Sequence, residues 1–145
     1  MRITTTGNLL KLFHKYDKDT ILRKRNIRKF IVDNVKYQKC GQKFVVDGDD
    51  FMLQVNPKQI ETYYPIPRIR TITSAVKEFN KTHTQQINIH IIEKCLAENK
   101  GISYYKGARL YLINYDELEK EIIKQLRKRK GIVKNIWHSF FHWLL

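Results

Sequence analysis

Acidic residues are scarce in this chain. Fourteen Asp and Glu stand against 28 Lys and Arg, which leaves a net charge of +14 on 145 residues. A basic chain this small repels itself unless a polyanion is close by; nucleic acid is the commonest such partner and anionic membrane the next. Cysteine is nearly absent. Cys40 and Cys95 lie far apart and in no ligand spacing, which excludes a disulfide framework or a cysteine-built zinc site and points to a reduced compartment with free thiols. Glycine numbers six and forms no phosphate-cradling run, and no nucleophile motif or partnered carboxylate pair is present, so neither an enzyme nor a cofactor is expected. A DNA-cleaving tyrosine recombinase would need Arg and His partners on a larger catalytic domain. No stretch approaches the roughly 18 apolar residues that cross a bilayer, and the short apolar run after Arg2–Thr6 does not suit a secretory signal. What the chain has in ordinary measure is apolar content, 42%, enough for a folded core.

The chain also repeats itself. Residues 24–34, KRNIRKFIVDN, align with 89–99, IHIIEKCLAEN: Ile27 falls on Ile92, Phe30 on Cys95, Ile31 on Leu96 and Asn34 on Asn99. Both copies keep the i, i+3, i+4 apolar positions of a helix with one buried stripe. Residues 36–51, KYQKCGQKFVVDGDDF, align with 103–118, SYYKGARLYLINYDEL. Tyr37 meets Tyr104, Lys39 meets Lys106, Phe44-Val45-Val46 meets Tyr111-Leu112-Ile113, and Asp49 meets Asp116. The offset changes at Lys100-Gly101, as a loop tolerates. Less regularly, Thr4–Phe13 resembles Thr73–Phe79. All three prolines fall in the intervening LQVNPKQIETYYPIPRI, which reads as a linker or extended arm.

Each copy therefore predicts helix, turn, helix, two short strands and a further helix start. In the second copy the helices are 73–80 and 89–98, with Ile87 buried beneath the turn and Asn88 as N-cap. The strands are 103–106 and 110–113, and Asn114 caps a helix carrying Leu118, Ile122 and Leu126. In the first copy the same roles fall to residues 24–33, 37–39, 43–46 and Asp47.

NIRKFI followed by KYQKCGQKFVVDGDDF resembles the excisionase-type helix-turn-helix domain, a relative of the MerR DNA-binding domain, and YYKGARLYLINYDEL is similar to the tail of that pattern. The resemblance covers residues 2–52 and 70–125. It implies an α+β, mainly helical chain with two tandem winged helix-turn-helix units at 1–55 and 70–127; the prolines mark a linker at 56–69, and the helical spacing of apolar residues predicts a C-terminal amphipathic helix at 128–145. The resemblance further implies a double-stranded DNA-binding protein of a mobile element, plasmid or phage, cytoplasmic in a bacterial or phage-infected cell, acting as an architectural accessory or a transcriptional regulator. The alternative from another class is a protein-interaction module that meets an acidic partner on the same scaffold.

The residues expected to bind DNA follow. Arg23, Lys24, Arg25, Arg28 and Lys29 cluster at the start of the first copy's second helix, where side chains reach base edges and phosphates. Lys39, Gln42 and Lys43 surround its hairpin, with Lys36 nearby; Lys106 and Arg109 occupy the second hairpin. In the second copy Gln85, Gln86, Asn88, His90 and Lys94 are candidates for polar readout. Glu93 there replaces the basic residue at Arg28, so the first copy is expected to drive affinity. Two linked units can bind neighbouring half-sites. Asp47-Gly48-Asp49-Asp50 looks like part of a metal loop, but its counterpart Asn114-Tyr115-Asp116-Glu117 cannot supply the same ligands, and helix capping explains both. His138 and His142, four apart, have no nearby Cys or carboxylate. In the tail, Ile136, Trp137, Phe140, Phe141 and Leu144 offer an apolar face for docking onto the repeats, for a homodimer or partner, or for a membrane surface.

Overall fold

The computed structural model describes residues 2–58, 66–98, 101–106 and 110–128. The expected tail face, Ile136 to Leu144, and Arg109 lie outside these residues. The first repeat comprises β1 (Ile3–Thr5), α1 (Thr6–Tyr16), α2 (Lys24–Asn34), β2 (Tyr37–Cys40), β3 (Lys43–Asp47) and α3 (Gly48–Val55). The second comprises β4 (Ile69–Arg70), α4 (Ile72–Thr82), α5 (Ile89–Ala97), β5 (Tyr104–Lys106), β6 (Tyr111–Asn114) and α6, residues 115–128. The described chain is thus α+β, with helices around two three-stranded antiparallel sheets ordered β1-β3-β2 and β4-β6-β5.

The helices and hairpins fall where the periodicity predicts them; the first strand of each sheet does not follow from it. Ile3–Thr5, three β-branched residues in a row, pair with Asp47–Val45, and Thr5 then becomes the N-cap of α1, accepting from the Asn8 N–H. Ile69-Arg70 pairs with Asn114-Ile113 in the same way, and Thr71 caps α4 through Ser74. Asp47 accepts from the Asp49 N–H, and Asn114 Oδ1 from the Glu117 N–H, so the run after each hairpin begins a helix. Between α4 and α5, the Asn80 amide closes the turn on Ile87, donating to its carbonyl at 3.0 Å and accepting from its N–H at 2.7 Å.

Each repeat has its own core. Leu9, Phe13, Leu22, Ile27, Ile31, Val46 and Phe51 fill the first; Ala75, Phe79, Ile87, Ile92, Leu96, Ile113, Leu118 and Ile122 fill the second. Residues 66–69 of the proline-containing segment are buried, and Ile66 and Ile69 belong to the first repeat's core. The second sheet therefore has two covered faces. Ile113 and Tyr111 turn into their own core, while Leu112, one residue along the pleat, packs against the first. Tyr105, opposite Leu112, meets Phe30 of α2 edge-on at 5.6 Å, and the Asn114 amide donates to the Val55 carbonyl of α3 at 3.1 Å. The same face of the first sheet, with Gln38 and Val45 at the matching positions, is not covered in this way: Ile3, the counterpart of Ile69, is 70% exposed, against 7%. The seam joins two different surfaces, head to tail.

Charge reinforces the seam. Arg70 is buried in β4 and donates to both carboxylate oxygens of Asp17, at 2.5 and 2.9 Å, and to Glu78. Burial works against its charge, but these carboxylates outweigh it and hold the guanidinium charged well beyond the ordinary range. Arg68 binds Asp116 at 2.7 Å, Glu119 at 3.2 Å and Glu78 at 3.3 Å, and its guanidinium lies over the Tyr115 ring. Burial pushes the Asp116 carboxyl up, against the opposing pull of Arg68. The pair has a pale copy in the first repeat, where Arg2 and Asp49 stand 3.7 Å apart in solvent.

Candidate nucleic-acid interface

Helix α2 owes its position to Ile27 and Ile31, which are buried one turn apart and turn one stripe into the core. At about 100° per residue, Arg25, Lys29 and Val32 then point to the opposite side, and all three are exposed. Lys24 is exposed at the helix start, and Arg23 precedes it with its backbone N–H bound to the Asn26 side chain at 2.9 Å. No carboxylate pairs with Arg23, Lys24, Arg25 or Lys29 among the described residues. Their charge is available to an external anion.

Arg28 stands on the flank of α2 and plays a different part. Its Nη2 donates to the Gln42 carbonyl at 3.2 Å, and its guanidinium lies 4.6 Å over the Phe44 ring. One side chain thereby ties α2 to the turn and the second strand of the β2–β3 hairpin. That turn has two residues, Gly41 and Gln42, between the paired Cys40 and Lys43; Gly41 has φ +62°, which a side chain would strain. Lys39, Gln42 and Lys43 are exposed around it.

The opposite flank of α2 faces the second repeat. Phe30 packs on Tyr105, and the Tyr105 hydroxyl donates to the Asp33 carboxylate. Partial burial, and then Asp33, push the Tyr105 phenol up to about 12. Beneath this contact lies a cavity of about 300 Å³ lined by both repeats, including Asn26, Phe30, Asn34, Ser103 and Leu112. The sequence marked the basic cluster and both hairpins. It did not mark Phe44, Asp33 or Tyr105, whose importance comes from contacts as distant as 72 positions along the chain.

The second repeat's candidates are engaged differently. Asn88 caps α5 by accepting from the Ile91 N–H, and Gln86 donates to the Asn80 carbonyl. His90 lies 3.7 Å from Glu93, and the Lys94 ammonium lies 3.8 Å from Glu98. Gln85 is half-buried. Ile89 is exposed, whereas Ile91 packs against the core. Lys106 remains exposed, with its ammonium 5.4 Å from the Tyr111 ring centre. No group of three His, Cys, Asp or Glu suited to a metal occurs among the described residues, and none of their helices is long and apolar enough to cross a membrane. Cys40 is exposed and Cys95 buried, and they form no disulfide.

No protein-family model, curated protein or solved structure matches this chain. The case for function therefore rests on the chemistry of this surface.

Proposed function

We propose that the protein binds double-stranded DNA, without catalysis, through the first repeat. The order helix, turn, helix, hairpin supports a winged helix-turn-helix reading, in which α2 enters the major groove and the β2–β3 hairpin lies against the neighbouring backbone. The observation that carries this is the exposed face of α2: Arg25 and Lys29 project without a carboxylate partner, and Arg28 holds the helix in register with the Lys39/Lys43 hairpin. Arginine suits guanine edges and phosphate alike, and lysine suits phosphate. The second repeat supports a lesser share, because α5 carries Glu93 in the place of Arg28 and sets Lys94 beside Glu98. The biological roles that fit are an architectural accessory or a transcriptional regulator of a mobile element, plasmid or phage.

The test is duplex binding followed by fluorescence anisotropy over a range of salt, with the full chain and its Arg25→Ala/Lys29→Ala variant. Binding should weaken steeply with salt. The double variant should lose about tenfold or more in affinity and flatten the log–log salt slope by about two, from two lost phosphate or base contacts at roughly 0.9 each. Equal affinity and equal slope for the two proteins would overturn the reading.

A further inference from the structure

Helix α2 lies between two hairpins, not beside one. On one flank Arg28 reaches the turn of its own β2–β3 hairpin, through the Gln42 carbonyl and the Phe44 ring. On the other, Phe30 and Asp33 receive Tyr105 from β5 of the second repeat. Between these flanks the helix turns Arg25, Lys29 and Val32 outward. The second hairpin cannot shift independently of α2, because Arg70, Asp17, Ile69 and Leu112 lock its sheet onto the first repeat.

From this arrangement we infer that the two repeats present one composite surface to a single stretch of duplex: α2 at its centre, the β2–β3 hairpin on one side and the β5–β6 hairpin on the other. The inference rests on the DNA-binding reading and narrows it. Two tethered readers would be expected to occupy separate half-sites, whereas of the two second helices α2 presents Arg25 and Lys29 without a carboxylate partner and α5 presents Lys94 beside Glu98. Helix α5 has Glu93 where α2 has Arg28 and sets Lys94 3.8 Å from Glu98. The second repeat's contribution is then strand β5, where Lys106 is exposed one residue beyond Tyr105 and leaves the sheet on its Tyr111 face. Tyr105 has a further role. Asp33 is the one carboxylate on α2, at the edge of the basic face, and the phenol O–H binds it where an unscreened charge would repel phosphate.

The experiment uses the full chain on duplexes of two lengths, about 15 and about 30 base pairs, near one and a half and three helical turns. One composite surface should reach its full affinity on the shorter duplex, with less than a threefold gain on the longer after correction for the number of registers. On that shorter duplex Lys106→Ala should lower affinity about three- to tenfold and reduce the salt slope by about one, as should Lys39→Ala. Lys106 is exposed, so its replacement leaves the core intact. A more than tenfold gain on the longer duplex would mean two separate sites and would overturn the inference. So would a Lys106→Ala protein with unchanged affinity and slope while Arg25→Ala/Lys29→Ala is impaired, which leaves first-repeat binding standing. Absence of salt-dependent duplex binding by the unaltered chain would instead remove the DNA-binding reading itself, and this inference with it.

Discussion

The guanidinium of Arg70 is bound at two points by the carboxylate of Asp17, a residue 53 positions earlier that ends α1 of the other repeat. Both side chains are buried, so the pair was taken out of water to fasten one repeat to the next. Breaking such a pair from one side leaves an uncompensated charge inside, which costs more than the pair itself contributes.

Arg70→Met should therefore destabilise the protein by about 3–5 kcal/mol, because Asp17 and Glu78 lose their common cation. Urea unfolding would record this as a lower midpoint. The double variant Arg70→Met/Asp17→Leu should recover part of the loss, since it removes a buried charge along with its partner.

Acidity should modulate the neighbouring pair. Asp116 has a folded-state pKa raised by burial, with Arg68 opposing the rise. A carboxyl raised above its unfolded value favours the fold when protonated, and that contribution is lost as pH climbs through the acid range to the folded pKa. Arg68→Met removes the opposing pull, so the pKa rises further. The stability deficit of this variant against the unaltered chain should be large at neutral pH and shrink on acidification toward about pH 4, near the ordinary carboxyl range. Denaturant midpoints at several pH values give the comparison; a deficit that grows with acid would contradict it.

Tyr105 offers a probe of the contact between repeats. Its phenol should stay protonated until about pH 12. Asp33→Asn removes the neighbouring negative charge and should bring its titration part of the way down, while burial, the larger cause, still holds it above the ordinary value of about 10. Ultraviolet difference titration of the Asp33→Asn protein, with Tyr105→Phe to assign the signal, would show whether that is so.

Ile3 and Ile69 occupy the same place in the two repeats but opposite environments. Ile69→Ala should cost about 2–5 kcal/mol as a cavity in a packed core, while Ile3→Ala should stay within about 0.5 kcal/mol. Thermal or chemical unfolding of the two variants side by side separates these outcomes.

Much of this architecture is legible in the sequence where apolar spacing is local. Ile27 and Ile31 announce α2, Asn88 and Asp47 announce their helix starts, and Gly41 announces a tight turn. The short strands β1 and β4 escape, since two or three residues carry no periodicity and their partners lie 40 to 45 positions away. The seam escapes for a related reason. Arg68 and Arg70 look like any other basic residues in so basic a chain, and only the fold reveals that they are interior. The basic start of α2 was readable as a candidate surface, whereas the roles of Arg28 as a tether and Tyr105 as a cover depend on tertiary contacts.

The head-to-tail seam gives the molecule a direction. A pair of subunits related by a two-fold axis reads a palindrome, because each half meets the same sequence from its own side. Here the two hairpins flanking α2 differ in sequence and in how they are held, and no rotation exchanges them. A duplex gripped by this surface has a left and a right that are not equivalent, so its preferred target would be asymmetric and the protein would sit on it in a single orientation.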